Sequence, residues 1–253
     1  METVNLIEYH VTNHCNLNCK GCAHFSPIAK PWFADINSFE KDLKQLSSKV
    51  EIKQLRLFGG EPLLNDNIND FFVMARNILS SSKISVLSNG ILAHNKLKNI
   101  IPSMKDNDIV MELTKYPIDV DYKKIKQILN AFNIKVEFEN EYGVVKTLRH
   151  HVLSHEKKKD NYNCMMVDGE SVQLKDGKLY ICPIQAYIDI FNEKFNDNFV
   201  INKEDFLDIY DENVTGKTIK GFYYKKNGFC DYCRKPIENQ KYSLSDRNKS
   251  EWT

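Results

Sequence analysis

Apolar and polar positions follow two rhythms along this chain. Residues 3–11, Thr-Val-Asn-Leu-Ile-Glu-Tyr-His-Val, make a short strand-like run that leads straight into a cysteine-bearing loop. After Asn37-Ser38, a natural cap, Phe39, Leu43 and Leu46 recur at helical spacing and predict a helix to about Ser48. The alternation then repeats. Strands are expected over 52–58, 84–87, 108–113 and 134–138, with helices over 68–79, 95–101 (stopped by Pro102) and 121–132 between them. Strands alternating with helices imply an α/β fold with a parallel sheet and right-handed crossovers. In such folds the loops at the C-terminal ends of the strands carry the chemistry.

From about 143 to 163 the rhythm loosens, and the charge run 156–160 reads as a solvated linker. Beyond it, 171–175 and 178–182 flank Asp176-Gly177, a strong hairpin signal. Helix-like stretches follow near 184–195 and 204–210, and a polar tail follows Cys233. The expected division is therefore 1–160 and 161–253. Thirty-five basic against 34 acidic residues give no sign of a nucleic-acid or membrane-surface partner. No signal peptide and no membrane-length apolar run are visible. The expected location is cytoplasmic, where clustered cysteines bind metal more often than they form disulfides.

The seven cysteines fall into a group of three and a group of four. Cys15, Cys19 and Cys22 form a C-x3-C-x2-C set, and three thiolates in one loop suit iron–sulfur or zinc. Three ligands leave one iron of a cubane open to a small molecule. A closed zinc site instead needs a fourth ligand, for which His14 or His24 is at hand. The spacing resembles the hallmark of the radical S-adenosylmethionine (SAM) superfamily. That resemblance implies a partial (β/α)6 TIM-like barrel, a SAM-binding 4Fe–4S cluster on Cys15, Cys19 and Cys22, and reductive cleavage of SAM to a 5′-deoxyadenosyl radical. Gly59-Gly60-Glu61-Pro62, at the end of the second strand, is similar to the family motif that lines the methionine end of SAM. Glycines there let backbone approach closely. Ser88-Asn89-Gly90 is similar to the family's Thr-Asn-Gly and implies polar contact with SAM. One position departs from the pattern: Gly21 stands where an aromatic residue often packs near the adenine, a space for His24 or Phe25 to fill.

Cys164 is followed by twelve residues, Gly177, four residues and Cys182, with Cys230-x2-Cys233 later. This resembles the SPASM and Twitch extensions of the superfamily. The cysteines of a full SPASM domain are absent after Cys233, so the likeness is to Twitch: a small hairpin-plus-helix extension with one auxiliary 4Fe–4S cluster on Cys164, Cys182, Cys230 and Cys233. A structural zinc site on the same four thiolates is the alternative. With three and four cysteines used, no thiol is spare to return a hydrogen atom as in a radical epimerase. A fully ligated second cluster suits electron acceptance, and hence net oxidation. Size and layout resemble Twitch-type dehydrogenases that oxidise a secondary alcohol on an aminocyclitol. The wording Cys-Ala-His-Phe-Ser-Pro at 22–27 resembles radical SAM proteins of surface-polysaccharide genes. The expected substrate is thus a small hydroxylated molecule, a sugar or cyclitol, with an external reductant such as flavodoxin or ferredoxin. Two other readings stay open. One is a maturase of ribosomal peptides, which usually carries a leader-binding domain for which no room precedes residue 3. The other is a zinc-stapled binding protein without catalysis. His24, beside the cluster loop, and Lys115 and Tyr116, at a strand end, are the candidate catalytic residues. The other six histidines carry no usable spacing.

Overall fold

The computed structural model describes residues 1–138, 144–145, 147–159, 164–168, 171–223 and 225–253. In chain order its main elements are β1 (Glu2–Thr12), α1 (Ile36–Ser47), β2 (Val50–Gly59), α2 (Ile68–Ile78), β3 (Lys83–Ser88), α3 (Ala93–Asp106), β4 (Ile109–Leu113), α4 (Tyr122–Ala131) and β5 (Val136–Phe138). There follow β6 (Thr147–Leu153), α5 (Met165–Asp168), β7 (Ser171–Lys175), β8 (Lys178–Tyr180), α6 (Pro183–Ala186), α7 (Ile188–Phe195), β9 (Leu207–Asp208), α8 (Gly216–Phe222) and β10 (Cys233–Lys241). The main sheet has the order β5-β4-β3-β2-β1-β7-β8-β9. Among the described residues its first six strands in that order are parallel neighbours, and β8 and β9 close the edge antiparallel. This is the expected α/β architecture with a mostly parallel central sheet.

Period-two alternation sorts the sheet's two faces. Ile7, Tyr9 and Val11 of β1 pack with Leu55, Leu57, Phe39 and Leu43 under the helices, in the main apolar core. Glu8 and His10, between them, face the other way. There Arg56 bridges Glu8 (2.8 Å) and Glu112 (2.7 Å), and Lys83 reaches Glu112 at 2.8 Å. The inner face is thus a row of paired charges beneath the strand ends. A second, aromatic core lies across β1 from the first helices. It joins Phe25 and Ile28, just after the first cysteine loop, to Tyr187, Phe191, Phe199, Phe229, Tyr232 and Trp252.

Several elements differ from expectation. The cap of α1 is Asp35, whose carboxylate accepts from Ser38 N–H at 2.8 Å, rather than Asn37-Ser38. Helix α3 runs through Pro102 to Asp106. An interior proline costs about 3 kcal/mol. Leu97, Ile100, Ile101 and Met104 are all buried on one face, and each such side chain returns about 1.5–3 kcal/mol. The helix expected at 204–210 is a single 3-10 turn, Lys203–Asp205, followed by β9. There the Asp205 carboxylate closes a capping box on Asn202 and also accepts from Phe229 N–H at 2.8 Å, and the chain turns extended at Phe206. The stretch after Cys233, expected to be a polar tail, is strand β10, paired antiparallel with β6, and it ends in a buried Trp252. A lone tryptophan after a polar run carries no periodicity to reveal this.

The hairpin at Asp176-Gly177 forms as expected, with both residues at positive φ (51° and 70°). It is not set apart from the barrel: β7 lies parallel to β1 and continues the sheet. The division expected near residue 160 falls outside the described residues. Among the described residues no helix is long and apolar enough to cross a membrane.

Candidate active site

Strand β1 delivers the first three cysteines at its C-terminal end. Cys15, Cys19 and Cys22 line one open cleft with His24, Phe58, Gly59, Gly60, Ser88, Asn89, Thr114 and Tyr116. Each thiol has hydrogen-bond donors. Leu17 N–H lies 3.3 Å and Asn89 Nδ2 3.7 Å from Cys15 Sγ. Backbone N–H groups of His24, Phe25 and Ser26 reach Cys22, and hydroxyls of Tyr116 and Tyr242 reach Cys19. Burial pushes the bare thiols up, Cys19 to about 12; Cys22 pushes Cys19 further, and Glu61 does the same to Cys15 ahead of its neighbouring cysteines. Three such thiols ionise together only if a cation offsets their charge. Among the described residues no three Cys, His, Asp or Glu side chains converge as they would on a single ion. The donor set, arranged around a cleft, fits a 4Fe–4S cluster with an open side.

The two glycines have a steric reason that the sequence does not reveal. A Cβ on Gly59, at φ 139°, would fall 1.9 Å from the Thr12 carbonyl oxygen, and one on Gly60 2.0 Å from that of His14. Gly60 and Glu61 N–H groups donate to those same carbonyls at 3.0 and 3.1 Å. The glycines therefore let the end of β2 close on the start of the cysteine loop, before any ligand is considered. Glu61 and Pro62 do not line the cleft. Pro62 opens a short 3-10 turn. The buried Glu61 carboxylate accepts from Ser88 Oγ (2.8 Å), Asn89 N–H (2.9 Å) and Leu63 N–H (3.1 Å). Burial pushes its carboxyl up to about 7 against those three donors. Asn89 Nδ2 also donates to Asn16 Oδ1 at 2.8 Å. A polar chain thus runs from Glu61 through Ser88-Asn89 to Cys15, and ties the second and third motifs to the first.

His24 lines the cleft, and its Nδ1 is 3.0 Å from Nε2 of the buried His10. His10 Nδ1 is 3.1 Å from Asn13 Oδ1, and its ring stacks on Tyr187 with centroids 3.7 Å apart. Burial lowers both histidines, His24 to about 3, and keeps them neutral. His10 was invisible to spacing arguments; its one signal is the inward phase of β1. Tyr116 is in the cleft, whereas Lys115 is not: its ammonium lies 3.8 Å above the Phe138 ring. Phe25 does not fill the space beside Gly21; it is buried in the aromatic core at φ 54°. The neighbour of Gly21 is His150 of β6, whose ring would stand 2.9 Å from a Cβ there.

The last four cysteines meet around a second, tighter pocket. Cys164, Cys182, Cys230 and Cys233 line it with Val167, Ile181, Ile184, Phe229 and His151. Burial pushes Cys233 up to about 12, and it raises Cys182, the N-cap of α6, as well. All seven cysteines are free of disulfides.

Comparison with known proteins bears on the first site. BtrN in complex with AdoMet and 2-DOIA has the same overall fold, with a TM-score of 0.57 at 16% identity over 93% of this chain and 95% of that one. GTP 3′,8-cyclase of Alkaliphilus oremlandii is 31% identical over 91 residues, 35% of this chain and 28% of that enzyme. GTP 3′,8-cyclase of Campylobacter jejuni subsp. doylei is 27% identical over 127 residues, 49% of this chain and 38% of that enzyme. The chain thus spans about a third of the length of these curated relatives. The Radical SAM superfamily model matches residues 9–171, well over half of 253, and that span holds the three-cysteine loop, both glycine-bearing strand ends and the cleft between them. Built on that loop and sheet, this chain belongs to the Radical SAM superfamily.

Proposed function

We propose that this chain is a radical SAM dehydrogenase that oxidises a small hydroxylated substrate, a sugar or cyclitol, with a second 4Fe–4S cluster as the internal electron acceptor. When bound, SAM and the two clusters supply the electron, the hydrogen-abstracting 5′-deoxyadenosyl radical and the sink for the electron left on the substrate. The chain's own residues hold and shield them. Cys15, Cys19 and Cys22 give three ligands and leave the fourth position to SAM. Gly59, Gly60, Ser88 and Asn89 flank that position. Glu61 and Pro62 serve from behind, as anchors of the two strand ends. His24 engages His10 through Nδ1, and, kept neutral by burial, it offers Nε2 as a hydrogen-bond acceptor to the substrate hydroxyl; Tyr116 stands across the cleft. Lys115, over Phe138, has no part in this arrangement.

The observation that carries the proposal is the partition of the cysteines. Three line an open cleft, four line an apolar cavity, and none of the seven is left over to return a hydrogen atom. Oxidation would balance without such a thiol: the substrate would lose a hydrogen atom, an electron and a proton to give a carbonyl, the bound SAM and second cluster would supply the acceptors of the first two, and the proton would leave to solvent from a hydroxyl held by the neutral His24. Division near residue 160 into a SAM-binding part and a Twitch-like part follows from the same partition. An external one-electron donor, flavodoxin or ferredoxin, and a cytosolic setting complete the reading. The experiment is a screen of carbon-deuterated sugars, cyclitols and peptides for label transfer into 5′-deoxyadenosine. Label from a sugar or cyclitol, with one equivalent of ketone, is the expected result. Label from a peptide alone overturns the substrate class.

A further inference from the structure

Five successive residues of the first cysteine loop are met by the segment 242–252. Asn18 Nδ2 donates to the Ser245 carbonyl at 2.8 Å, and the Asn18 carbonyl accepts from Ser245 N–H at 2.8 Å. Cys19 forms a β-bridge with Leu244, and Lys20 N–H donates to the Ser243 carbonyl at 3.0 Å. Gly21 N–H is 3.4 Å from Glu251 Oε2, and Trp252 Nε1 donates to the Cys22 carbonyl at 2.9 Å. The strap therefore follows the loop residue by residue, with Trp252 buried at its end.

This register sets the Tyr242 hydroxyl 3.9 Å from Cys19 Sγ. The Tyr242 ring packs against Tyr116 of the cleft, centroids 5.6 Å apart and tilted by 47°. Cys15 and Cys22 take backbone N–H donors from their own loop, whereas the two hydroxyls at Cys19, of Tyr116 and Tyr242, come from outside it, that of Tyr242 from more than two hundred residues away. A cysteine that ligates a cluster is a thiolate and has no proton, so in this contact the tyrosine O–H donates. A hydrogen bond to a ligating sulfur stabilises the more negative, reduced state of an iron–sulfur cluster.

We propose that Tyr242 is a positioning residue of the first cluster: its hydroxyl donates to the Cys19 thiolate, fixes that ligand's direction and makes the cluster easier to reduce. The inference rests on the family-level reading of Cys15, Cys19 and Cys22 as cluster ligands and is independent of the substrate. Tyr242→Phe keeps the ring against Tyr116 and removes the Tyr242 hydroxyl alone, leaving that of Tyr116 at Cys19. The full chain, reconstituted anaerobically, is titrated potentiometrically while following the electron paramagnetic resonance signal that changes when SAM is added, since that signal belongs to the cluster with the open iron. The expected result is a more negative midpoint in Tyr242→Phe, with the melting temperature of the metal-free protein unchanged. Selective loss of the SAM-sensitive signal at unchanged melting temperature also supports the assignment, because a ligand held less well loses its cluster. An unchanged midpoint with the SAM-sensitive signal intact overturns it. Absence of any SAM-sensitive signal from the wild-type protein overturns the cluster reading and this proposal together, so the two failures are told apart.

Discussion

Cys15, Cys19 and Cys22 lie within one loop, are wrapped in N–H and O–H donors, and open onto a cleft lined by three other strand ends. Cys164, Cys182 and the pair Cys230 and Cys233 come from three separate stretches and meet in a tighter pocket among Val167, Ile181, Ile184 and Phe229. The first site is polar, supported and exposed on one side. The second is mostly apolar and has four thiols, as many as a 4Fe–4S cluster has irons. On the proposed function the first site admits a charged molecule and needs donors and an opening, whereas the second only passes electrons and needs shelter. The aromatic core links the two, since Phe25 follows the first site and Phe229 and Cys182 belong to the second.

Several substitutions separate these roles. The largest effect is expected from Cys22→Ala, which removes one of only three ligands. SAM cleavage should fall to background while the iron at the other four cysteines stays, as iron analysis and SAM turnover would report. Next, Cys182→Ala should strip iron from the second site alone. The SAM-sensitive signal persists, 5′-deoxyadenosine still forms, and ketone yield per 5′-deoxyadenosine falls by about 10- to 100-fold, in the range of lost metal-site support. If ketone formation survives intact, the second site is not the electron acceptor. Trp252→Ala should cost about 3–5 kcal/mol in chemical denaturation, because it opens a cavity against Phe25, Phe191 and Phe195 and frees the Cys22 carbonyl.

The smallest effect is a slope in pH. Burial lowers His10 and takes His24 to about 3 and His151 to about 4. Unfolded imidazoles bind protons below about pH 6.5, and these folded ones do not. The stability they contribute is therefore complete above pH 6.5 and drains away as pH falls from there through about 4 to about 3. The metal-free protein should melt at a lower temperature at pH 5 than at pH 7.5, and His24→Gln should flatten that slope. An equal slope in the variant would remove His24 from the buried, neutral set.

The two thiol sites also differ in how far the sequence discloses them. Cys15, Cys19 and Cys22 are legible because their ligand geometry is local, and β1 before them has a clean strand pattern. The strand–helix alternation to residue 138 is legible for the same reason, since each element satisfies its own periodicity. Asp176-Gly177 is legible as a turn because both positions require positive φ. What stays hidden depends on pairing between distant segments. β6 and β10 form a ladder whose polar residues carry no alternation, and the strap over 18–22 is held largely by backbone groups and by a single tryptophan. Gly59 and Gly60 look like ligand glycines in sequence, yet the nearest obstacles to a side chain there are the Thr12 and His14 carbonyls. His10 reads as an ordinary strand residue until the fold stacks it on Tyr187 behind His24.

The most direct test of the contrast between the two sites is iron, sulfide and zinc analysis of the anaerobically purified chain, paired with spectra of the reduced protein before and after SAM. Two clusters predict about eight irons per chain, no stoichiometric zinc, and a signal in two parts, of which SAM perturbs only one. Zinc in place of iron at the last four cysteines, or a spectrum that SAM perturbs as a whole, would contradict the division of labour between an open cluster and a sheltered one.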